Sequence, residues 1–131
     1  MKITSVIARL LLGLIFLVFG LNGFLHFIPM PPLTGIAGQF MGALFVSHFL
    51  IVIFSIQLIG AILLLVNRYV PLALTLLAPV IVNVLLFHLL MAPSGIALAI
   101  VVTVLWVLAF LNVRSAFTGL VQQRVPTQPL Q

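Results

Sequence analysis

The chain has no acidic side chain and no cysteine among its 131 residues, and only 4% of its residues are charged. An average soluble domain is about 25% charged, so a soluble fold is excluded because this sequence cannot cover its surface with charge. The lack of carboxylates excludes Ser-His-Asp hydrolases and argues against proton-coupled pumps. The lack of cysteine excludes disulfides, thiol redox relays and Cys-ligated zinc or iron–sulfur centres.

The few cations are scattered along the chain and form no basic cluster. We therefore predict no nucleic-acid partner, although the formal net charge is +5. Their positions are better explained as markers of membrane topology. The five are Lys2, Arg9, Arg68, Arg114 and Arg124.

Apolar residues make up 65% of the chain and are gathered into long runs. A membrane-crossing helix needs about 20 mostly apolar residues. Four windows meet this requirement, at about residues 10–28, 44–66, 70–91 and 96–112. Prolines open the connection 29–43, and short turns occupy 67–69 and 92–95. The sequence therefore predicts an all-α, integral membrane four-helix bundle over residues 1–118, surrounded by the lipid bilayer, and a flexible polar tail over 119–131.

The distribution of cations predicts the orientation of this bundle. The N-terminus, the 67–69 turn and the C-terminal segment hold all five cations, whereas the 29–43 and 92–95 connections hold none. Cytoplasmic segments of membrane proteins carry the excess of Lys and Arg. Both termini are therefore predicted to lie in the cytoplasm.

Three histidines, His26, His48 and His88, come from three different predicted spans. With this orientation each lies about 3–6 Å below the outer surface of the bilayer. One interpretation is a shared ligand site, because neutral imidazoles bind haem when two rings face each other. The other is that each ring reaches interfacial water or makes a structural hydrogen bond. We predict no metal centre from this set.

Further polar side chains lie deeper in the predicted spans. Asn22 shares a helix face with His26, and Asn83 follows Pro79 by one turn. These residues predict a polar funnel that opens at the outer face. The predicted ligand-binding set is Asn22, His26, His48, Gln57, Asn83, His88 and Trp106. The alternative is that the amides join neighbouring helices through hydrogen bonds and that Trp106 packs in the core.

Two segments carry a resemblance to a known family. They read Arg9-Leu-Leu-Leu-Gly13-Leu-Ile-Phe16-Leu-Val-Phe-Gly20-Leu-Asn22-Gly23 and Gln57-Leu-Ile-Gly60-Ala-Ile-Leu-Leu-Leu-Val-Asn-Arg68-Tyr69. The chain resembles the DoxX family of small bacterial four-helix membrane proteins, to about residue 118. The resemblance implies the bacterial inner membrane and an association with redox systems, since some relatives are subunits of thiosulfate:quinone oxidoreductase and others join oxidative-stress complexes. Family members usually have Glu where this chain has Gln57.

Three functions remain open at this point. The first is a membrane subunit of a quinone-linked or oxidative-stress redox system, in which the funnel takes a quinone-like molecule; haem is a less favoured cofactor. Such a subunit would act only with protein partners. The second is a non-catalytic scaffold that binds partner proteins or further copies of itself. The third is a small-molecule channel or transporter.

Overall fold

The computed structural model describes residues 2–130, and every regular element in that range is helical. Helices suit apolar runs of this length because a helix satisfies its backbone N–H and C=O groups internally. Two short 3₁₀ segments, Pro93–Gly95 and Arg114–Val121, precede and follow the last α-helix. The five α-helices are α1 (Lys2–Leu25), α2 (Gly35–Val46), α3 (Phe49–Leu65), α4 (Val70–Leu90) and α5 (Ile96–Val113).

Four of these helices form a closed ring in which neighbours run antiparallel. The α1 helix packs against α3 and α5, and α4 packs against the same two helices. One end of the ring thus collects the starts of α1 and α4 and the ends of α3 and α5. We name it the cationic end, after Lys2, Arg9, Arg68 and Arg114. The opposite end is the histidine end, after His26, His48 and His88.

The interior of the ring is a narrow apolar core. Its fully buried large side chains come from three helices, and they are Leu12, Leu64, Leu74 and Leu77. The outside of the ring is apolar as well, with Leu14, Ile59, Val82 and Val104 all exposed. Monomeric soluble proteins rarely expose large contiguous apolar patches. Helices α1, α4 and α5 with its flanking 3₁₀ segments are each long and apolar enough to cross a membrane.

Glycines set how closely α1 approaches α3. A Cβ on Gly23 would lie 2.3 Å from the ring of Phe54. A Cβ on Gly20 would lie 2.9 Å from Leu58, one turn further along the interface. Both distances are shorter than carbon contacts allow, so the two helices touch where α1 has no side chain. This stripe of small residues is what lets bulky α3 side chains pack flat against α1.

The second predicted span, 44–66, is interrupted. Residues 44–46 belong to α2, which is bent by 86° from α3 across the break at Ser47 and His48. His48 adopts φ 62, in the left-handed region, and this turns the chain from the α2 axis to the α3 axis. The α2 helix also occupies much of the 29–43 segment predicted as a connection, since the last proline, Pro32, lies three residues before the helix begins. Counted as one span, the bent pair brings the candidate membrane crossings to four.

The other predicted boundaries differ less. The α4 and α5 helices match the predicted spans 70–91 and 96–112 within a residue at each end. The α1 helix begins eight residues before the predicted start at residue 10 and ends three residues before residue 28. Beyond Val121, residues 122–130 are exposed and form no regular element, while residue 131 of the predicted tail lies outside the described residues.

Candidate functional site

The end of α1 is closed by Asn22 and His26. The backbone N–H of His26 donates to the carbonyl of Asn22 at 2.9 Å, and the Asn22 Oδ1 accepts from the N–H of Ile28 at 2.7 Å. His26 has φ 52, a left-handed conformation that commonly ends helices. His26 therefore lies just outside the helix and is exposed, rather than inside the span predicted for it. The side chain of Asn22 serves to shape the backbone that leaves the helix.

His48 forms the corner between α2 and α3. Its backbone N–H donates to Phe45 at 3.1 Å, and its carbonyl accepts from Ile51 at 3.2 Å, so the residue links the two helices through its main chain. The side chain is exposed. An imidazole in this place is free to meet solvent or lipid headgroups, as one of the two predicted interpretations describes.

His88 belongs to the last turn of α4 and packs into the turn that follows. Its Nδ1 lies 3.0 Å from the carbonyl oxygen of Ala92. Because a carbonyl only accepts, this contact assigns the proton to Nδ1. A Cβ on Gly95 would lie 2.2 Å from the ring, so the turn leaves space for the imidazole only because glycine stands there. His88 thus stabilises the α4–α5 connection.

The three histidines share one end of the bundle but occupy three separate helix ends. Across residues 2–130 there is no group of three His, Cys, Asp or Glu side chains placed to hold a metal ion. Above this end lies α2, whose Phe40 ring packs against Phe87 of α4 with centroids 5.9 Å apart. An apolar contact thus joins α2 to α4 at this end, while His26 and His48 stay exposed.

Two of the three deeper polar residues, Asn83 and Trp106, also bond to the protein's own backbone. Asn83 is exposed, and its Nδ2 donates to the carbonyl of Pro79 at 2.8 Å. The Nε1–H of Trp106 donates to the carbonyl of Leu74 at 2.9 Å and joins α5 to α4. Gln57 is only 7% exposed and lies on the α1–α3 interface beside Gly20. Trp106 thus forms an interhelical hydrogen bond, the role that the alternative interpretation gives to the amides, whereas for Trp106 that interpretation gives core packing.

Trp106 also lines an apolar groove between α4 and α5. The groove has a volume of about 260 Å³, and apart from Thr103 its lining is apolar. The Trp106 ring stacks on Phe110, with centroids 5.2 Å apart and ring planes at 7°. The groove is open on the outer, apolar face of the ring. Of the predicted ligand residues, Trp106 alone lines it; the three histidines do not.

A second cavity lies at the cationic end, where the sequence predicted no site. It has a volume of about 150 Å³ and is partly enclosed. Its polar lining comes from α1, from the α3–α4 turn and from the end of α5. These residues are Lys2, Ser5, Arg9, Asn67 and Asn112. They are too far apart in sequence to form a motif. The one feature they share in the sequence is that each lies near the predicted cytoplasmic end of a membrane span.

Comparison of the chain with protein-family models, with curated proteins and with solved structures gave no match. Membership of the DoxX family therefore stays a prediction from the two quoted segments. The geometry itself divides the molecule into three candidate places. They are a histidine end occupied by helix-ending hydrogen bonds, an apolar groove beside Trp106, and a cation-lined cavity at the opposite end.

Proposed function

We propose that the chain is an integral protein of the bacterial inner membrane that acts through protein partners and supplies no catalytic group of its own. In this proposal the ring of helices crosses the bilayer four times, and both termini face the cytoplasm. The apolar outer surface of the ring supports insertion. The gathering of Lys2, Arg9, Arg68 and Arg114 at one end supports the orientation, because Lys and Arg accumulate on the cytoplasmic side.

The proposal that the chain supplies no catalytic group rests on the hydrogen bonds that its polar side chains make. Asn22, Asn83, His88 and Trp106 each bond to a backbone group of the protein itself. A general acid or base must be within hydrogen-bond reach of a substrate proton. The chain has no Asp or Glu to replace them. A membrane subunit that organises other proteins fits this arrangement better than an enzyme.

The insertion and orientation are tested by labelling single cysteines, because the chain has none of its own. Met30→Cys places a thiol at the histidine end, and Val125→Cys places one in the C-terminal segment. On intact cells with a permeable outer envelope, a membrane-impermeant maleimide is expected to label the first variant alone. Labelling of the second alone would reverse the orientation, and equal labelling of both would contradict insertion.

The absence of a histidine-dependent cofactor is tested with a variant in which His26, His48 and His88 are all changed to Ala. Absorption spectra and lipid-extract mass spectra are recorded for this variant and for the unaltered protein, both purified in detergent. We expect neither protein to show a Soret band, and their extracts to contain the same small molecules. A Soret band or a quinone that disappears in the variant would contradict the proposal.

A second candidate function follows from the groove beside Trp106. The DoxX resemblance implies a quinone-linked redox partner, and an apolar groove facing lipid suits the ring or isoprenoid tail of a quinone. The volume of about 260 Å³ lies just below the roughly 300–1,000 Å³ of pockets for drug-sized ligands. The groove is therefore large enough for one ring or part of a tail. Electrons would have to come from a partner subunit, because no residue of this chain carries them readily.

This candidate can be tested with the fluorescence of Trp106, the single tryptophan of the chain. A short-chain ubiquinone bound in the groove is expected to quench that fluorescence with a saturable dependence on concentration. Ala78→Leu fills the groove and should abolish saturation, whereas Ala97→Leu, on the exposed side of α5, is the matched control. Unsaturable quenching that is equal in all three proteins would exclude this candidate.

A further inference from the structure

The cavity at the cationic end is surrounded by Lys and Arg side chains that no Asp or Glu side chain pairs with. Lys2 and Arg9 line it directly, and Arg68 and Arg114 adjoin the lining residues Asn67 and Val113. The chain has no Asp or Glu side chain to neutralise them. The remaining polar side chains around the cavity are a hydroxyl and two carboxamides, which can donate hydrogen bonds but carry no charge.

The helix dipoles do not supply the missing negative charge. The α1 and α4 helices begin at this end with their positive ends, and α3 and α5 finish there with their negative ends. Two partial charges of each sign, about half a unit each, therefore roughly cancel. The net charge around the cavity is that of the side chains, and it is positive.

Arg9 is the central residue of this cavity. Its side chain is half-buried between α1 and α3, and its Nη1 donates to the carbonyl of Leu64. A guanidinium carries five N–H donors in a planar fork, so this single bond leaves donors for a second acceptor. A partly buried charge at a membrane boundary is costly unless it is paired. The cavity lies where such a partner would fit.

We infer that this cavity binds an oxyanion of the phosphate class, held by the guanidinium of Arg9 and the ammonium of Lys2 and oriented by the amides of Asn67 and Asn112. Arginine forks match two oxygens of a phosphate, and lysine adds a point charge. The cavity of about 150 Å³ has room for a tetrahedral anion, since a water takes roughly 30 Å³ of liquid. The anion is either a phospholipid headgroup or free phosphate. The lipid source rests on the proposed membrane insertion, whereas binding of free phosphate does not.

If Arg9 had a purely structural role, its replacement would have different effects from those expected for an anion-binding residue. If Arg9 only ends α3 through the Leu64 carbonyl, its replacement changes stability but no ligand, and Lys2 has no part in the site. Lys2 is exposed, so a purely structural role for Arg9 gives no reason for Lys2 to affect the binding of an anion. If replacing Arg9 and replacing Lys2 both weaken the binding of the same anion, the result distinguishes anion binding in the cavity from a structural role of Arg9.

The test uses the full-length protein, purified in a neutral detergent and washed free of lipid. Three probes are added separately: inorganic phosphate, phosphatidic acid, and diacylglycerol with the same acyl chains but no phosphate. Bound molecules are counted by native mass spectrometry, and the melting temperature is followed in parallel. The variants are Arg9→Gln and Lys2→Gln, with Arg68→Gln as the matched control because Arg68 lies at the same end but outside the lining.

We expect phosphatidic acid to bind and raise the melting temperature while diacylglycerol does neither. Arg9→Gln and Lys2→Gln should each weaken binding about tenfold, the effect of losing one charge-assisted hydrogen bond. Arg68→Gln should change binding less than about threefold, because it acts only through the screened field at this end. If Arg9→Gln does not fold, Lys2→Gln decides the question alone.

The two sources of the anion give different results, and each supports the site. Saturable, Lys2-dependent binding of inorganic phosphate assigns a free anion, and binding of phosphatidic acid alone assigns a lipid headgroup. The inference is overturned if neither phosphate probe binds, if diacylglycerol binds as well as phosphatidic acid, or if Lys2→Gln behaves like Arg68→Gln. Failure of the cysteine-labelling test would remove the membrane proposal but would leave the phosphate result standing.

Discussion

The two ends of the helical ring use polar residues in opposite ways. At the histidine end, Asn22 and His88 bond to the backbone that follows α1 and α4, and Phe40 of α2 packs against Phe87 of α4. At the cationic end, Lys2, Arg9 and Asn112 surround a cavity. The sequence drew attention to the histidines because imidazoles are versatile ligands. In the structure, each of the three histidines lies at the end of a different helix.

The comparison indicates that a polar residue near the end of a helix can bond to the backbone of that helix end, so its residue type alone does not identify it as a ligand residue. A buried helix end needs partners for its last carbonyls and for the N–H groups beyond it, and polar residues near a membrane boundary meet that need first. Charged side chains without internal counter-ions are a stronger signal, because the chain cannot satisfy them by itself. Changes at the histidine end should therefore alter stability, and changes at the cationic end should alter binding.

The largest stability effect is expected from Gly23→Ala at the histidine end. The added Cβ would overlap the Phe54 ring, and overpacking of this kind costs about 1–3 kcal/mol of unfolding free energy. Gly42→Ala in α2 is the control, since a Cβ there meets no atom within 4 Å and should be neutral or stabilising. Unfolding in mixed detergent micelles compares the two. Equal effects would mean that α1 and α3 do not pack this closely.

Asn22→Ala is expected to have the next largest effect. It removes the acceptor for the Ile28 N–H and should cost about 1 kcal/mol, the usual value for a lost helix-ending side-chain bond. Asn83→Ala removes an exposed bond to its own helix, so it should cost under about 0.5 kcal/mol. The same micellar unfolding measures both. A larger loss for Asn83 would indicate a buried partner for that residue and would favour the predicted polar funnel.

His48→Gly is expected to stabilise the protein slightly. The residue has φ 62, where a side chain is strained and glycine is not, so the gain should be about 0.5–1 kcal/mol. His48→Val at the same position should be destabilising, because a β-branched residue resists this conformation. A loss of stability in the glycine variant would instead show that the imidazole makes a valuable contact.

The smallest stability effect is expected from Lys2→Gln at the cationic end. With no anion present, the change should fall within about 0.5 kcal/mol, as for most exposed surface substitutions. Thermal unfolding in lipid-free detergent measures it. A destabilisation above about 1 kcal/mol would mean that Lys2 holds the ring together, and the contrast between the two ends would be lost.

Much of the fold could be predicted because apolar runs map directly onto helices. The α4 and α5 boundaries follow from Tyr69, Pro93 and the polar turns around them. The break before α3 could not be predicted, because residues 44–66 read as one apolar run and no Gly or Pro marks the bend at Ser47 and His48. The α2 helix is absent from the prediction, because the prolines at 29–32 interrupt helix only up to residue 32 and leave Gly35–Val46 free to form one.

Less of the candidate site could be predicted. The sequence predicts Asn22 and Trp106 as ligand-binding residues, whereas the partners they have in the structure are backbone groups of Ile28 and Leu74, which carry no sequence signal. The cavity at the cationic end is formed by residues from α1, the α3–α4 turn and α5. These residues become neighbours only because the helices pack in this order. That order is not encoded in any local pattern.

The contrast between the two ends is tested most directly by native mass spectrometry of protein released gently from its own membranes. Three proteins are compared: the unaltered chain, the variant with His26, His48 and His88 changed to Ala, and Lys2→Gln. We expect a phosphate-bearing mass on the unaltered chain that persists in the histidine variant and is reduced in Lys2→Gln. A bound mass that is lost from the histidine variant and retained in Lys2→Gln would contradict the account.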